Sequence, residues 1–114
     1  MSKRKPDVFL QDILESIQQI EQYLDNVKEN EFYQKPEKQD DVLRRLEIIG
    51  EAVKHISGEI REKYDDVPWR RIAGMRDIII HEYFGITLSM VWVVAQQDLP
   101  NLKSRIEKII EDNP

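Results

Sequence analysis

The chain has 114 residues, of which 40% are hydrophobic and 34% charged, so it is long enough for one domain with a buried core and too short for two. Its net charge of −5 argues against a protein that coats nucleic acid non-specifically, because that mode needs a broad basic surface. The lack of cysteine excludes disulfides, thiolate nucleophiles and cysteine-based zinc sites. Histidine, carboxylate, tyrosine, serine, arginine and lysine side chains remain for any chemistry.

The sequence also lacks membrane and export signals. No stretch approaches the ~18 consecutive apolar residues of a membrane span. The basic start "MSKRKPDVF" is not followed by the apolar run of a signal peptide. We therefore expect residues 1–114 to form a single cytoplasmic domain with no membrane partner.

Apolar residues at three- and four-residue spacings predict helices in the first half of the chain. The first helix is expected in "DVFLQDILESIQQIEQYLDNV", where Asp7 can cap the N-terminus. A polar linker, "KENEFYQKPEKQ", precedes a long second helix, "DDVLRRLEIIGEAVKHISGEIREKY". The apolar stripe of that second helix consists of Val42, Leu46, Ile49, Val53, Ile56 and Ile60.

Two more helices are predicted in the second half. The third runs from about Trp69, directly after Pro68, through the segment "GMRDIIIHEYF". The fourth is "TLSMVWVVAQQDLPNLKSRIEKIIED", in which Pro100 should kink or interrupt the helix because proline lacks an amide donor. No run alternates apolar and polar residues, so we predict an all-α, up-and-down bundle of about four helices with short loops.

The third helix carries charged and polar residues in unusual places. On a helical period one face holds Trp69, Ile72, Arg76, Ile79 and Tyr83. Arg76 therefore occupies a hydrophobic position, and its guanidinium needs a partner. His81, five residues later, lies about 140° round a straight helix from Arg76. Either the helix loosens before His81, or a second copy of the chain completes the site.

The segment "RDIIIHEY" fits an Arg, four residues, His, one residue, Tyr pattern. It resembles the motif of HEPN-domain ribonucleases, and the chain is similar to their HepT-like branch over nearly its whole length. The ordered phrases that carry the resemblance are "DILESIQQI", "RRLEIIGEA", "PWRRIAGMRD" and "VWVVAQQDLP". Asp77 departs from the family pattern, which usually has a polar amide there, and places a negative charge beside Arg76.

The resemblance implies a HEPN helical bundle and a homodimer whose motifs face one another in a cleft. It further implies a metal-independent endoribonuclease without cofactor, with Arg76 and His81 catalytic, acting as the toxin of a type VII-like toxin–antitoxin pair. The implied partner is a nucleotidyltransferase antitoxin of the MNT type. Such antitoxins silence HepT-like toxins, in some cases by transferring AMP to the motif tyrosine, here Tyr83.

The side chains themselves suit RNA cleavage without a metal. The reaction needs a base for the 2′-hydroxyl proton, an acid for the leaving 5′-oxygen, and a cation for the extra charge on phosphorus. Imidazole can serve as base or acid near neutral pH, and a guanidinium can bind two phosphate oxygens. Since one His81 fills one proton-transfer role at a time, a dimer that joins two copies would supply both.

Each motif residue also has a structural interpretation. Arg76 could simply pair with Asp77 or Glu47, His81 could be structural, and Tyr83 could be a core aromatic with its hydroxyl at the rim. Taken together with the family phrases, the pattern favours functional roles for all three. The locally basic "WRR" adds Arg70 and Arg71 as candidate RNA contacts.

His55 forms a four-residue row with Glu47 and Glu51, which invites a metal-binding interpretation. Metal sites in helical bundles use a paired Glu-x-x-His motif, which this sequence lacks. We therefore expect no metal site and interpret His55 as part of a solvated helix face.

We interpret the two tryptophans as residues of the core or of a dimer interface. Contact of Trp69 with RNA is a weaker alternative. We expect the dimer interface along the apolar seams of the third and fourth helices, because Val91, Trp92 and Val94 supply more apolar surface than a small bundle needs for its own core.

Two other functions compete with catalysis. The chain could be a non-catalytic helical partner or substrate-binding module of a nucleotidyltransferase, or a dimerising scaffold. The joint presence of Arg76 and His81 favours catalysis, because a scaffold has no need for that pair.

Overall fold

The computed structural model describes residues 6–81 and 88–113, with side chains for 8–76 and 88–113. The helices are α1 (Pro6–Tyr23), α2 (Glu29–Phe32), α3 (Pro36–Lys54), α4 (Gly58–Lys63), α5 (Trp69–His81), α6 (Leu88–Val93) and α7 (Leu99–Asp112), with a π-helical turn (Val94–Asp98) between α6 and α7. No strand occurs within these described ranges, so the predicted all-α class is confirmed. None of the described helices has the length and apolar character needed to cross a membrane.

Four long helical segments form the bundle: α1, α3, α5 and the run from α6 through α7. Helix α3 packs against both α1 and α5, and α7 packs against α1. The apolar stripes predicted for the first two helices supply much of the core: Ile13, Ile17, Ile20, Val42, Leu46, Ile49 and Val53. Leu10, which lies outside the predicted stripe of the first helix, is buried with them. Because α3 lies between α1 and α5, residues of both of these helices contact α3.

The long second helix predicted from the sequence is divided into α3 and α4. Ser57 caps α4, since its hydroxyl accepts a hydrogen bond from the Ile60 N–H at 3.2 Å. The Arg61 side chain donates to the carbonyl oxygens of Val53 and Ile56, which satisfies acceptors at the end of α3. Apolar spacing could not reveal this break, because Ile56 and Ile60 still face the core.

The predicted polar linker contains α2 and a core residue. Phe32 is completely buried, and its ring lies 5.6 Å from that of Trp92. Gln39 donates hydrogen bonds to the carbonyl oxygens of Phe32 and Tyr33 at 3.0 and 3.1 Å. This segment is therefore a helical turn anchored in the core by one aromatic ring.

Pro100 is accommodated by a change of helix type. The Leu99 N–H bonds to the carbonyl oxygen of Val94, five residues earlier, which widens the helix into the π-helical turn. Pro100 follows directly after this turn, at the start of α7, and the widened turn accommodates a residue that has no N–H to donate. The interruption predicted near Pro100 thus occurs over the preceding five residues.

Trp69 begins α5 and belongs to the core. Its side chain is 5% exposed, and the indole N–H donates to the Tyr64 carbonyl oxygen at 3.0 Å. Tyr64 in turn donates its hydroxyl to Asp112 at 2.8 Å, which lowers the pKa of that carboxyl. Trp69 therefore presents no surface on which an RNA base could stack, and the alternative prediction that Trp69 contacts RNA is wrong.

Candidate active site

Arg76 lies on the side of α5 that packs against α3. Its side chain is 30% exposed, and Nε lies 2.8 Å from Oε2 of Glu51. Sequence spacing suggested Asp77 or Glu47 as a partner. The ion pair described here is with Glu51, one helical turn after Glu47, and the side chain of Asp77 lies outside the described residues. The carboxylate offsets the cost of placing a guanidinium in a hydrophobic register position.

Gly50 is where the backbones of α3 and α5 approach closely. A Cβ atom added at Gly50 would lie 2.7 Å from Cβ of Arg76 and 3.3 Å from the carbonyl oxygen of Ile72. Carbon atoms do not approach to 2.7 Å without displacement, so this crossing needs a residue without a side chain. The base of the Arg76 side chain is therefore packed directly against α3.

Glu51 also contacts His55, which follows α3 as its C-cap residue. Nε2 of His55 lies 3.5 Å from Oε1 of Glu51, the oxygen opposite the one that faces Arg76. The ring of Phe9, on α1, stacks on the His55 ring with centroids 4.7 Å apart and planes 13° apart. His55 is exposed as expected, but it belongs to a contact series that reaches Arg76.

The backbone of α5 stays α-helical through His81. The alternative in which the helix loosens before His81 is therefore wrong, and position 81 lies about 140° round the axis from Arg76. By the same register it falls within about 20° of position 70, on the side where Arg70 is exposed. The side chain of His81, and Tyr83 altogether, lie outside the described residues.

The two candidate RNA-contact arginines are exposed and lie away from Arg76. Arg71 pairs with Asp98 at the end of the π-helical turn, with Nη2 3.3 Å from Oδ2, although its side chain remains 69% exposed. Arg70 is also exposed. In helical register both lie more than about 100° from Arg76. The structure therefore does not bring them together with Arg76 at one site.

The apolar surface available on α6 differs from the one expected. Val91 and Val94 are 4% and 9% exposed, because both pack into the core of their own chain. Trp92 is half-buried against that core. Met90 and Val93 are instead 47% and 44% exposed and, three residues apart, share one face of the helix. The interface predicted at Val91 and Val94 is thus wrong for those residues.

No group of three or more His, Cys, Asp or Glu side chains in the described part of the chain is arranged to hold a metal ion. In the row that invited a metal-binding interpretation, Glu51 is engaged by Arg76 and His55. In this cluster the Glu51 carboxylate lies between nitrogen atoms of His55 and Arg76, an arrangement that orients the Arg76 guanidinium.

Sequence reasoning missed Gly50, Glu51 and Phe9. A glycine inside a helical pattern signals a close backbone approach, and Gly50 within "RRLEIIGEA" carried that signal. Glu51 was noted only in its row with Glu47 and His55, and Phe9 carried no signal, because the pairing of Glu51 with Arg76 and the stacking of Phe9 on His55 depend on how the helices are rotated against one another.

The family model "Ribonuclease HepT-like" matches residues 13–109. The chain is 48% identical over 105 residues to a Methanocaldococcus jannaschii protein named "Gamma-glutamylcyclotransferase and putative RNase". The match covers 92% of this chain and 47% of that protein, so this chain spans about half the length of that relative. It is 41% identical to a "Putative RNase" of the same organism, covering 94% and 98% of the two chains. A "Probable ribonuclease HepT" of Thermococcus cleftensis is 38% identical, with 94% and 97% covered. No solved structure matches the chain.

Proposed function

The chain belongs to the ribonuclease HepT-like family, and from this premise we propose that it is a metal-independent endoribonuclease with Arg76 and His81 as its catalytic residues. The names of the relatives support RNA as the substrate class. The position of Arg76 in the fold supports the assignment of the motif residues.

The observation that carries the proposal is the placement of the Arg76 guanidinium. The residue occupies an inner face of α5, yet it keeps a charged head that is 30% exposed and oriented by Glu51. A helix seam ordinarily has a hydrophobic residue there. A guanidinium held in one orientation can bind phosphate oxygens and stabilise the charge that develops as phosphorus is attacked.

His81 is proposed to transfer protons. The 2′-hydroxyl oxygen attacks the neighbouring phosphorus as a base takes its proton, and the bond to the 5′-oxygen breaks as an acid protonates that oxygen. Imidazole serves either role near neutral pH. Two histidines thus complete both transfers within one site, with no metal-bound water required.

The helical register supports a site shared between two copies of the chain. Because α5 remains α-helical through His81, positions 76 and 81 face different directions on one helix. A facing second copy is the arrangement that brings Arg76 and His81 to one phosphate. The exposed Met90 and Val93 on α6 are the proposed apolar contribution to that interface.

The proposed biological setting is a type VII-like toxin–antitoxin pair with an MNT-type nucleotidyltransferase as antitoxin. AMP transfer would form a bond between the Tyr83 oxygen and the α-phosphorus of ATP, and pyrophosphate would leave. If the helix continued to residue 83, Tyr83 would lie within about 20° of Arg76 in register. The added phosphodiester charge and adenosine would then compete with RNA for Arg76.

Subunit mixing tests the shared site. Wild-type and His81→Ala proteins are combined in equal amounts, unfolded and refolded together, and assayed on labelled RNA with EDTA present. If each site needs both copies of His81, activity falls to about one quarter of that of wild-type protein at the same total concentration, since only a quarter of the dimers carry two wild-type chains. Sites that each use a single His81, paired with Arg76 of the same chain or of the partner copy, would instead leave about one half and would refute the use of both histidines at one site.

The same assay separates catalysis from its main alternative. His81→Ala protein alone should show no cleavage. Wild-type protein that binds its nucleotidyltransferase but never cuts RNA would establish the chain as a non-catalytic partner or substrate-binding module instead.

The modification is tested by co-expression with the nucleotidyltransferase. The chain should gain one or more AMP units at Tyr83 by mass spectrometry and lose RNA cleavage. Tyr83→Phe should stay active and unmodified. Tyr33→Phe is the matched control, because Tyr33 is an exposed tyrosine far from Tyr83 in the sequence. The RNA cleavage activity of this variant should be silenced by the nucleotidyltransferase as in the wild-type protein. An adduct elsewhere, or inhibition without any adduct, would refute modification of Tyr83.

A further inference from the structure

Arg76 is held at two points by consecutive residues of α3. Gly50 contacts the base of the side chain, where an added Cβ would lie 2.7 Å from Cβ of Arg76. Glu51 contacts the head, with its carboxylate oxygen 2.8 Å from Nε. The Gly50 contact sets how closely α5 lies on α3, and the Glu51 contact favours the Arg76 rotamers that bring Nε to the carboxylate. This arrangement specifies where the guanidinium plane points.

The contact at Nε matters because of the shape of the guanidinium. Nε lies on the side of the group, whereas the two terminal nitrogens form its end. A carboxylate on Nε therefore sets the rotation of the whole plane, including the end that can bind two phosphate oxygens. An ion pair that water reaches on both partners contributes little to folding, and here the Arg76 and Glu51 side chains are 30% and 48% exposed.

The orientation of Glu51 is itself supported from a third helix. Its second oxygen lies 3.5 Å from Nε2 of His55, and the Phe9 ring stacks on the His55 ring. The series of contacts therefore runs from Phe9 to His55, from His55 to Glu51, and from Glu51 to Arg76. Each oxygen of this carboxylate thus has a nitrogen neighbour, at 2.8 Å for Arg76 and 3.5 Å for His55, and the two contacts together favour one orientation of the carboxylate.

We propose that Glu51 is a positioning residue for RNA cleavage, which orients the Arg76 guanidinium towards the scissile phosphate, and that His55 stacked on Phe9 supports it. The inference rests on the proposed function and extends it to residues outside the Arg76 to Tyr83 segment. A competing role is that Glu51 occupies the guanidinium and must be displaced by RNA. The two roles predict opposite effects when the carboxylate is changed.

Three substitutions at position 51 separate these roles in single-turnover and steady-state cleavage assays. Glu51→Ala should lower kcat by about ten- to a hundredfold with KM changed little, because a misplaced guanidinium loses transition-state contacts. Glu51→Gln should recover most of kcat, since its amide oxygen has the same shape and still accepts from Nε. Glu51→Asp should fall between them. If Glu51 merely competes with RNA, both Ala and Gln variants will instead lower KM without lowering kcat.

The supporting residue and a control complete the series. His55→Ala should lower kcat in the same direction as Glu51→Ala but by less, because it removes a support and not the contact itself. Glu62→Ala makes the same charge change at an exposed position of α4 and should leave kcat and KM unchanged. Loss of activity that simply follows a lower unfolding temperature would overturn the positioning role.

A readout independent of cleavage separates this inference from the proposed function. In ¹⁵N-labelled protein, the Arg76 Nε–H resonance should be resolved and slow to exchange with solvent, retained in Glu51→Gln and lost or shifted to the random-coil position in Glu51→Ala. If wild-type protein fails to cleave RNA, the proposed function falls while an ordered Nε–H signal still supports the contact. An Arg76 resonance unaffected by Glu51→Ala overturns the inference even if RNA is cleaved.

Discussion

Replacing Arg76 by alanine is expected to lower kcat for RNA cleavage by about 10²- to 10³-fold, the loss typical when one positioned group that stabilises developing charge is removed. Folding should change little, because the Arg76 to Glu51 ion pair is partly exposed and such pairs contribute about 0–1 kcal/mol. Arg76→Lys should also lose most activity, since a lysine keeps the charge but not the planar group. Cleavage kinetics together with thermal unfolding measure both effects.

Two other arginines serve as comparisons for Arg76. Arg44→Ala makes the same charge change at an exposed position of α3 and should leave kcat unchanged. Arg70→Ala should raise KM by a few-fold without lowering kcat if Arg70 contributes only to attracting RNA. Equal cleavage by Arg76→Ala and wild-type protein would refute the proposed function.

Gly50→Ala is expected to damage both folding and activity through a single methyl group. The new Cβ would lie 2.7 Å from Cβ of Arg76, and both atoms are attached to helix backbones that cannot rotate away. Helices α3 and α5 must therefore separate, at a cost of about 1–3 kcal/mol that exceeds the gain of about 0.5–1 kcal/mol from replacing a helical glycine. Denaturant unfolding should show lower stability, and kcat should fall because Arg76 moves with α5.

Gly74→Ala is the matched control for this prediction. Gly74 also lies inside a helix, but among the described residues no heavy atom comes within 4 Å of an added Cβ. The substitution should therefore stabilise the protein by about 0.5–1 kcal/mol, the ordinary difference between the two residues in a helix. If Gly50→Ala behaved like Gly74→Ala, the close crossing of α3 and α5 at Arg76 would be refuted.

The sequence predicted the helices better than their ends. The stripes of α1 and α3 were visible because apolar spacing is a local property of each segment. The break between α3 and α4 was not, since Ser57 and Arg61 terminate and cap helices without disturbing the apolar stripe. Phe32 was placed in a linker because one buried ring among polar neighbours has no periodicity.

By itself the sequence determined that this protein is helical, that Arg76 sits at an inner position of its helix, and that its phrases match one ribonuclease family. Only the tertiary structure decided that Glu51 pairs with Arg76 and that Met90 and Val93 are exposed apolar residues of α6. A helical period shows which residues share a face. It does not set the rotation and separation of neighbouring helices, and these depend on contacts such as Gly50 against Arg76.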